Sequence, residues 1–110
     1  MVAPDEALLV WTTLPDKKSA SELAEQLVQS QLAACVHVLA GGESFYVWDG
    51  ALQKEVEWTL LIKTRSSLYI ELESRLKELH PYDLPEIIAT PIIKGESGYL
   101  QWLAQSTKGS

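Results

Sequence analysis

Two stretches of the chain place side chains that can do chemistry at short spacing. The first is Cys35-Val36-His37, a thiol and an imidazole two residues apart. In an extended strand that spacing puts both on one face. Together they can supply two of the four ligands of a tetrahedral metal site, with the soft thiolate favouring copper or zinc. The other reading is that Cys35 packs as a small hydrophobe and His37 is an imidazole at the surface or the core edge. The second stretch is His80-Pro-Tyr-Asp-Leu-Pro-Glu86. Two prolines stiffen it, so the imidazole of His80, the phenol of Tyr82 and the carboxylate of Glu86 are held in a fixed connection. Packing explains this stretch least.

These residues are positioned by elements that can be read from periodicity. Leu32–Ala40 and Val56–Thr64 form the two arms of a long hairpin, with Phe45-Tyr46-Val47-Trp48 leading into an Asp49-Gly50 turn. An Asp-Gly pair suits the two left-handed positions of a type I′ turn. Ala7–Thr13 is a first strand, ended by Leu14-Pro15. Ala20, Leu23, Ala24, Leu27 and Val28 repeat at helical spacing, with Asp16, or Ser19 in a capping box with Glu22, to start the helix. Leu68, Leu72, Leu76 and Leu79 mark a second helix, started at Ser66-Ser67 and stopped before the His80-Pro81 step. Ile87–Ile93 is a fourth strand, and Pro91 within it predicts an edge position or a bulge. Tyr99, Leu100, Trp102 and Leu103 give a short C-terminal helix capped by Ser97. The order βαββαβ-α predicts one α+β domain over residues 1–110, a ferredoxin-like sandwich with an extra helix.

Composition narrows the function classes. The net charge is −6 and no basic cluster appears, which argues against nucleic acid and against an anionic membrane surface. A single cysteine excludes an intrachain disulfide. Met1–Glu6 lacks the character of a signal peptide, and no run approaches the ~20 apolar residues of a membrane span. A cytoplasmic location is therefore expected. The first strand has no Cys-x-x-Cys loop after it, as a metallochaperone would, and no Walker-type glycine loop occurs. Glu55, Glu57, Glu71 and Glu73 read as solvated surface charge.

One physical problem remains. Two helices on one face of a sheet should leave the other face polar, yet Leu9, Trp11, Cys35, Leu39 and Leu61 are apolar too. Burying one tryptophan removes roughly 200 Å² from water, on the order of 5 kcal/mol at 25 cal/mol per Å². Either the C-terminal helix folds under the sheet or other copies of the chain cover it. A dimer is the default for such an assembly.

The chain resembles the CutA family of divalent-cation tolerance proteins from about Leu8 to Lys108. The matching stretches are Leu32-Ala-Ala-Cys-Val, Glu43-Ser-Phe-Tyr-Val-Trp-Asp-Gly, Leu61-Ile-Lys-Thr-Arg, His80-Pro-Tyr-Asp-Leu-Pro-Glu-Ile and Tyr99-Leu-Gln-Trp-Leu. The resemblance implies a PII-like homotrimer with sheets facing inward, which replaces the dimer. It also implies binding of copper or another divalent cation, needed for no part of folding, and no enzyme activity. The expected metal ligands are Cys35, His80 and His37. A pocket between subunits would be walled by Lys63, Tyr82, Glu86, Tyr46 and Trp48. The competing structural reading has a protonated His80 at a helix C-terminus, Lys63 paired with Glu86, and Tyr46 and Trp48 as packing. Members with a fuller copper site carry a cysteine and a second histidine where this chain has Thr12 and Leu79. Two further functions stay open: an enzyme using Cys35, His80 and Glu86, and a rigid scaffold for partner proteins.

Overall fold

A computed structural model describes residues 5–109. Met1–Pro4 of the leading segment and Ser110 of the tail lie outside the described residues. Four strands form one antiparallel sheet: β1 (Ala7–Leu14), β2 (Cys35–Trp48), β3 (Ala51–Arg65) and β4 (Ile88–Pro91), in the spatial order β2-β3-β1-β4. Helices α1 (Lys17–Gln29) and α2 (Tyr69–Leu79) complete a ferredoxin-like α+β fold, and α3 (Ser97–Gln105) follows. Among the described residues no helix is long and apolar enough to cross a membrane.

The core lies between the two main helices and one side of the sheet. Val10, Leu14, Leu60 and Ile62 of the sheet meet Ala20, Leu23 and Leu27 of α1 and Leu72 and Leu76 of α2. Each helix buries most of the stripe its periodicity predicts, with Ala24 and Leu79 half-buried and Val28 exposed. Thr12 sits in this core with a buried hydroxyl that has no hydrogen-bond partner among the described residues. β4 pairs with β1 alone, so Pro91 lies on an edge strand as expected.

The caps match the expected ones at α1, where Asp16 was one of two candidates, and differ at the other two helices. Asp16, not Ser19, caps α1 by accepting from the Ser19 N–H at 2.7 Å. Ser66–Leu68 forms a 3₁₀ turn before α2, and α2 itself has no side-chain cap. Glu96, not Ser97, caps α3, accepting from the N–H groups of Gly98 and Tyr99. A carboxylate reaches the orphan amides of a first turn as well as a hydroxyl does and also meets the helix dipole favourably.

The hairpin is longer than the two apolar runs indicate. Its aromatic segment is strand, and the pairing continues from Cys35↔Lys63 to Trp48↔Ala51. Asp49 and Gly50 take φ of 55° and 79°, the two left-handed positions of the expected turn. β1 pairs only with residues 58–65 of β3, so the outer half of the hairpin projects past the sheet as a two-stranded arm. The register shifts between Leu39 and Gly42, one extra residue on β2, where Gly41 has φ 82°. Such a bulge bends a strand and sharpens its twist, and here it marks where the arm leaves the sheet.

The second face of the sheet is partly covered by α3. Lys63, on that face, places its ammonium 5.5 Å from the centre of the Tyr99 ring, and Leu103 is buried. The fold thus realises part of the C-terminal-helix alternative, at one end of the sheet only. Leu39 and Ile88 on that face remain exposed, as do Phe45, Val47, Leu52 and Val56 on the arm.

Candidate functional site

The loop after α2 is built around His80. Proline at 81 keeps residue 80 out of the helical region, and His80 takes an extended conformation (φ −75°, ψ 136°) while its N–H still closes the last helical turn on Leu76. Its side chain turns inward and is buried. Nε2 lies 2.8 Å from the carbonyl oxygen of Thr13, and Nδ1 accepts from the Tyr82 N–H at 3.1 Å. A carbonyl only accepts, so the proton sits on Nε2. Burial lowers the imidazole pKa, against the opposing pull of the Thr13 carbonyl and the Glu57 charge. The side chain is therefore a neutral hub, which corrects the reading of a protonated His80 at a helix terminus.

Tyr82 continues the network. Its ring centre is 4.9 Å from that of His80, and its hydroxyl donates to Glu57 Oε2 at 2.7 Å. Burial, then the bond to Glu57 and its charge, push the phenol pKa well above the usual tyrosine value, so Tyr82 stays a donor. Glu57 is only 6% exposed, a correction to its expected place among solvated carboxylates. Glu55 is exposed. On α2, Glu73 accepts from the Tyr69 hydroxyl and Glu71 pairs with Lys108.

Arm and loop enclose a cavity of about 800 Å³. The arm contributes Ser44, Phe45, Tyr46, Trp48, Gln53, Glu55 and Glu57; the loop contributes Tyr82, Asp83, Leu84 and Glu86. Thr13 and Pro15 close the base, and no lysine, arginine or histidine is among the residues lining it. Four of the five expected pocket residues, Tyr46, Trp48, Tyr82 and Glu86, meet here. Lys63 does not. It shares the face of Glu57 but lies six residues along β3, ~20 Å away at 3.4 Å per residue. His80 stands behind the wall rather than in it.

The expected metal ligands are spread out. Cys35 pairs with Lys63 and His37 with Leu61 across the β2–β3 ladder. Cys35 is a half-buried free thiol and His37 is exposed. Thr13, which holds His80, lies two strands and four residues from Cys35, ~16 Å in the sheet. Among the described residues no three His, Cys, Asp or Glu side chains are placed to hold a metal. Both nitrogens of His80 are already engaged. Within one copy, Cys35, His37 and His80 do not fit a copper centre, and Cys35, His80 and Glu86 do not form a nucleophile and base in contact.

The class of protein follows from this arrangement: a ferredoxin-like sandwich with a projecting hairpin arm, an added C-terminal helix and a cavity under the arm. The family model for the CutA1 divalent ion tolerance protein matches residues 8–106, and the chain belongs to the CutA family of divalent-cation tolerance proteins. It is 41% identical to the divalent-cation tolerance protein CutA of Thermus thermophilus over 94% of this chain and 98% of that one. It is 43% identical to the chloroplastic CutA of Arabidopsis thaliana over 93% of this chain, and spans 56% of that protein's length. The crystal structure of CutA1 from Oryza sativa superposes with a TM-score of 0.93 at 43% identity, covering 96% of each chain.

Proposed function

We propose that the chain is the subunit of a cytoplasmic homotrimer that takes up a divalent cation and a small ligand at the clefts between copies, and that it acts by binding rather than by turnover. The observation that carries this reading is apolar surface without cover: Val47 and Leu52, directly paired on the arm, are 69% and 73% exposed. A two-stranded ribbon is marginal in water on its own. An arm and a sheet face are different surfaces, so docking the arm of each copy on the face of the next is head-to-tail, and a closing rotation makes it a ring. Three is the ring size that the CutA resemblance implies. The cation would sit on Cys35 and His37, two soft donors on the inward face, with a further donor from a neighbouring copy.

Light scattering on dilute protein tests the assembly, with an expected mass three times the 12.2 kDa of one chain. Calorimetric titration of the assembled protein with copper(II) chloride tests the metal. Stoichiometric heat that disappears in Cys35→Ser/His37→Ala is the expected result. A folded monomer would end the first half of the reading, and heat unchanged in the double variant would end the second.

A further inference from the structure

The inner side of the arm carries a gradient of chemistry. From base to tip its cross-strand pairs are Gly42↔Glu57, Ser44↔Glu55, Tyr46↔Gln53 and Trp48↔Ala51. Two residues advance a strand by ~6.8 Å, so carboxylates stand at the base and aromatic rings stand ~7–20 Å further out. The loop adds the carboxylates of Asp83 and Glu86 to the opposite wall. Among the described residues no lysine, arginine or histidine lines the cavity to answer them. Lys54 is on the other side of the arm, 3.5 Å from Glu43 and over the Phe45 ring. Lys63 is over Tyr99, and Arg65 is bound to Asp5 and Lys108.

Charge and shape together define the occupant. Four carboxylates in a concave wall raise the local concentration of cations and repel carboxylates and phosphates. A bare metal ion would make no use of Tyr46 and Trp48, and among the described residues no three His, Cys, Asp or Glu side chains converge to coordinate it. Aromatic faces instead attract organic ammonium and guanidinium groups, and they bury an attached apolar body. About 800 Å³ is within the range of small-molecule pockets. We propose that this cavity binds a small organic cation, its ammonium or guanidinium head set against Glu57 and the neighbouring carboxylates and its apolar body lying along Tyr46 and Trp48. The inference rests on the reading of this cavity as the small-ligand cleft of the assembly, and it names the ligand's chemical class.

The test uses phenethylammonium chloride, a primary ammonium with a phenyl body, titrated calorimetrically into the assembled protein. Phenylpropionate, 2-phenylethanol and magnesium chloride serve as the anionic, neutral and metal comparisons. Saturable binding with a dissociation constant of about 1 mM or tighter is expected for so small a ligand. Glu57→Gln keeps an oxygen for the Tyr82 hydroxyl but removes the charge, and should weaken binding roughly tenfold. Trp48→Ala should weaken it roughly threefold to tenfold, and Glu22→Gln on α1 should change nothing. Equal binding of 2-phenylethanol would overturn the proposal. So would an absence of ammonium binding, or magnesium binding that Glu57→Gln abolishes in its place. Light scattering on the same sample separates the two levels: an intact assembly that fails to bind sinks this inference alone, whereas a monomer sinks the assembly reading as well.

Discussion

His80 is the residue whose protonation most directly bears on the cavity wall. Its folded-state pKa is lowered by burial, so the unfolded chain takes up a proton first as pH falls. Stability from this group is complete above the ordinary histidine pKa of 6.5 and declines as pH drops through and below it. Protonating Nδ1 also replaces the acceptor for the Tyr82 N–H with a second donor. Urea midpoints measured at pH 7.5, 6 and 5 should fall for the wild type. They should fall less steeply in His80→Asn, which starts lower because the Thr13 and Tyr82 contacts are impaired. Parallel pH curves for the two proteins would contradict this role. The motif holding His80, Tyr82 and Glu86 was legible because two prolines fix its residues locally. Glu57 was not, since its burial comes from Tyr82, 25 residues later in the chain, and alternation alone made it an ordinary strand carboxylate. Lys63 shows the complementary limit: period-2 reading gives a face, but a pocket occupies one point along a strand.

At the scale of elements, Arg65 joins pieces that are far apart in sequence. It is the last residue of β3 and is 5% exposed. Its Nε donates to Thr107 Oγ1 at 2.6 Å, and its other nitrogens reach the Asp5 carboxylate and the Lys108 carbonyl. The segment before β1, the end of the central strand and the tail after α3 are thereby tied at one guanidinium. Arg65→Leu leaves the Asp5 carboxylate without this partner. A cost of about 2–3 kcal/mol is expected, below the 3–5 kcal/mol of fully buried pairs because Asp5 reaches water. Amide hydrogen exchange over residues 97–108 should speed up in the variant, since α3 loses its anchor. Unchanged exchange there would mean that Leu103 and the contacts of Tyr99 and Lys108 hold α3 without this clasp. Nothing in local periodicity points to this clasp, because its partners lie 42 to 60 residues away. The helices themselves were legible because their leucines and alanines repeat at 3.6 residues and each faces one core. Their first turns were read less well: Asp16, one of two candidates, caps α1, but Ser97 was chosen for α3, where Glu96 does the capping.

At the scale of the whole molecule, two of the uncovered apolar regions among the described residues differ in kind, and that difference decides how copies meet. One is the outer side of the arm, with Phe45, Val47, Leu52 and Val56; the other is the part of the sheet face that α3 leaves open, with Leu39 and Ile88. If the arm of one copy docks on the open face of the next, every copy gives one surface and receives another. Variants can separate the two. Val47→Lys/Leu52→Lys charges the arm and spares the face. Leu39→Glu/Ile88→Glu does the reverse. Each alone should remain folded, because both pairs lie outside the helix-packed core, and each should run as a monomer. Mixed in equal amounts, they should form a species of two chains and no more, since one intact arm meets one intact face and the remaining pair is dead. A two-fold contact of like surfaces predicts something else: Leu39→Glu/Ile88→Glu would pair with itself arm on arm, or Val47→Lys/Leu52→Lys with itself face on face, and no species would contain one of each. Native mass spectrometry of the mixture distinguishes the outcomes, and a peak at two chains containing one of each variant identifies the contact of arm on face, while the mass of the wild type gives the number of copies.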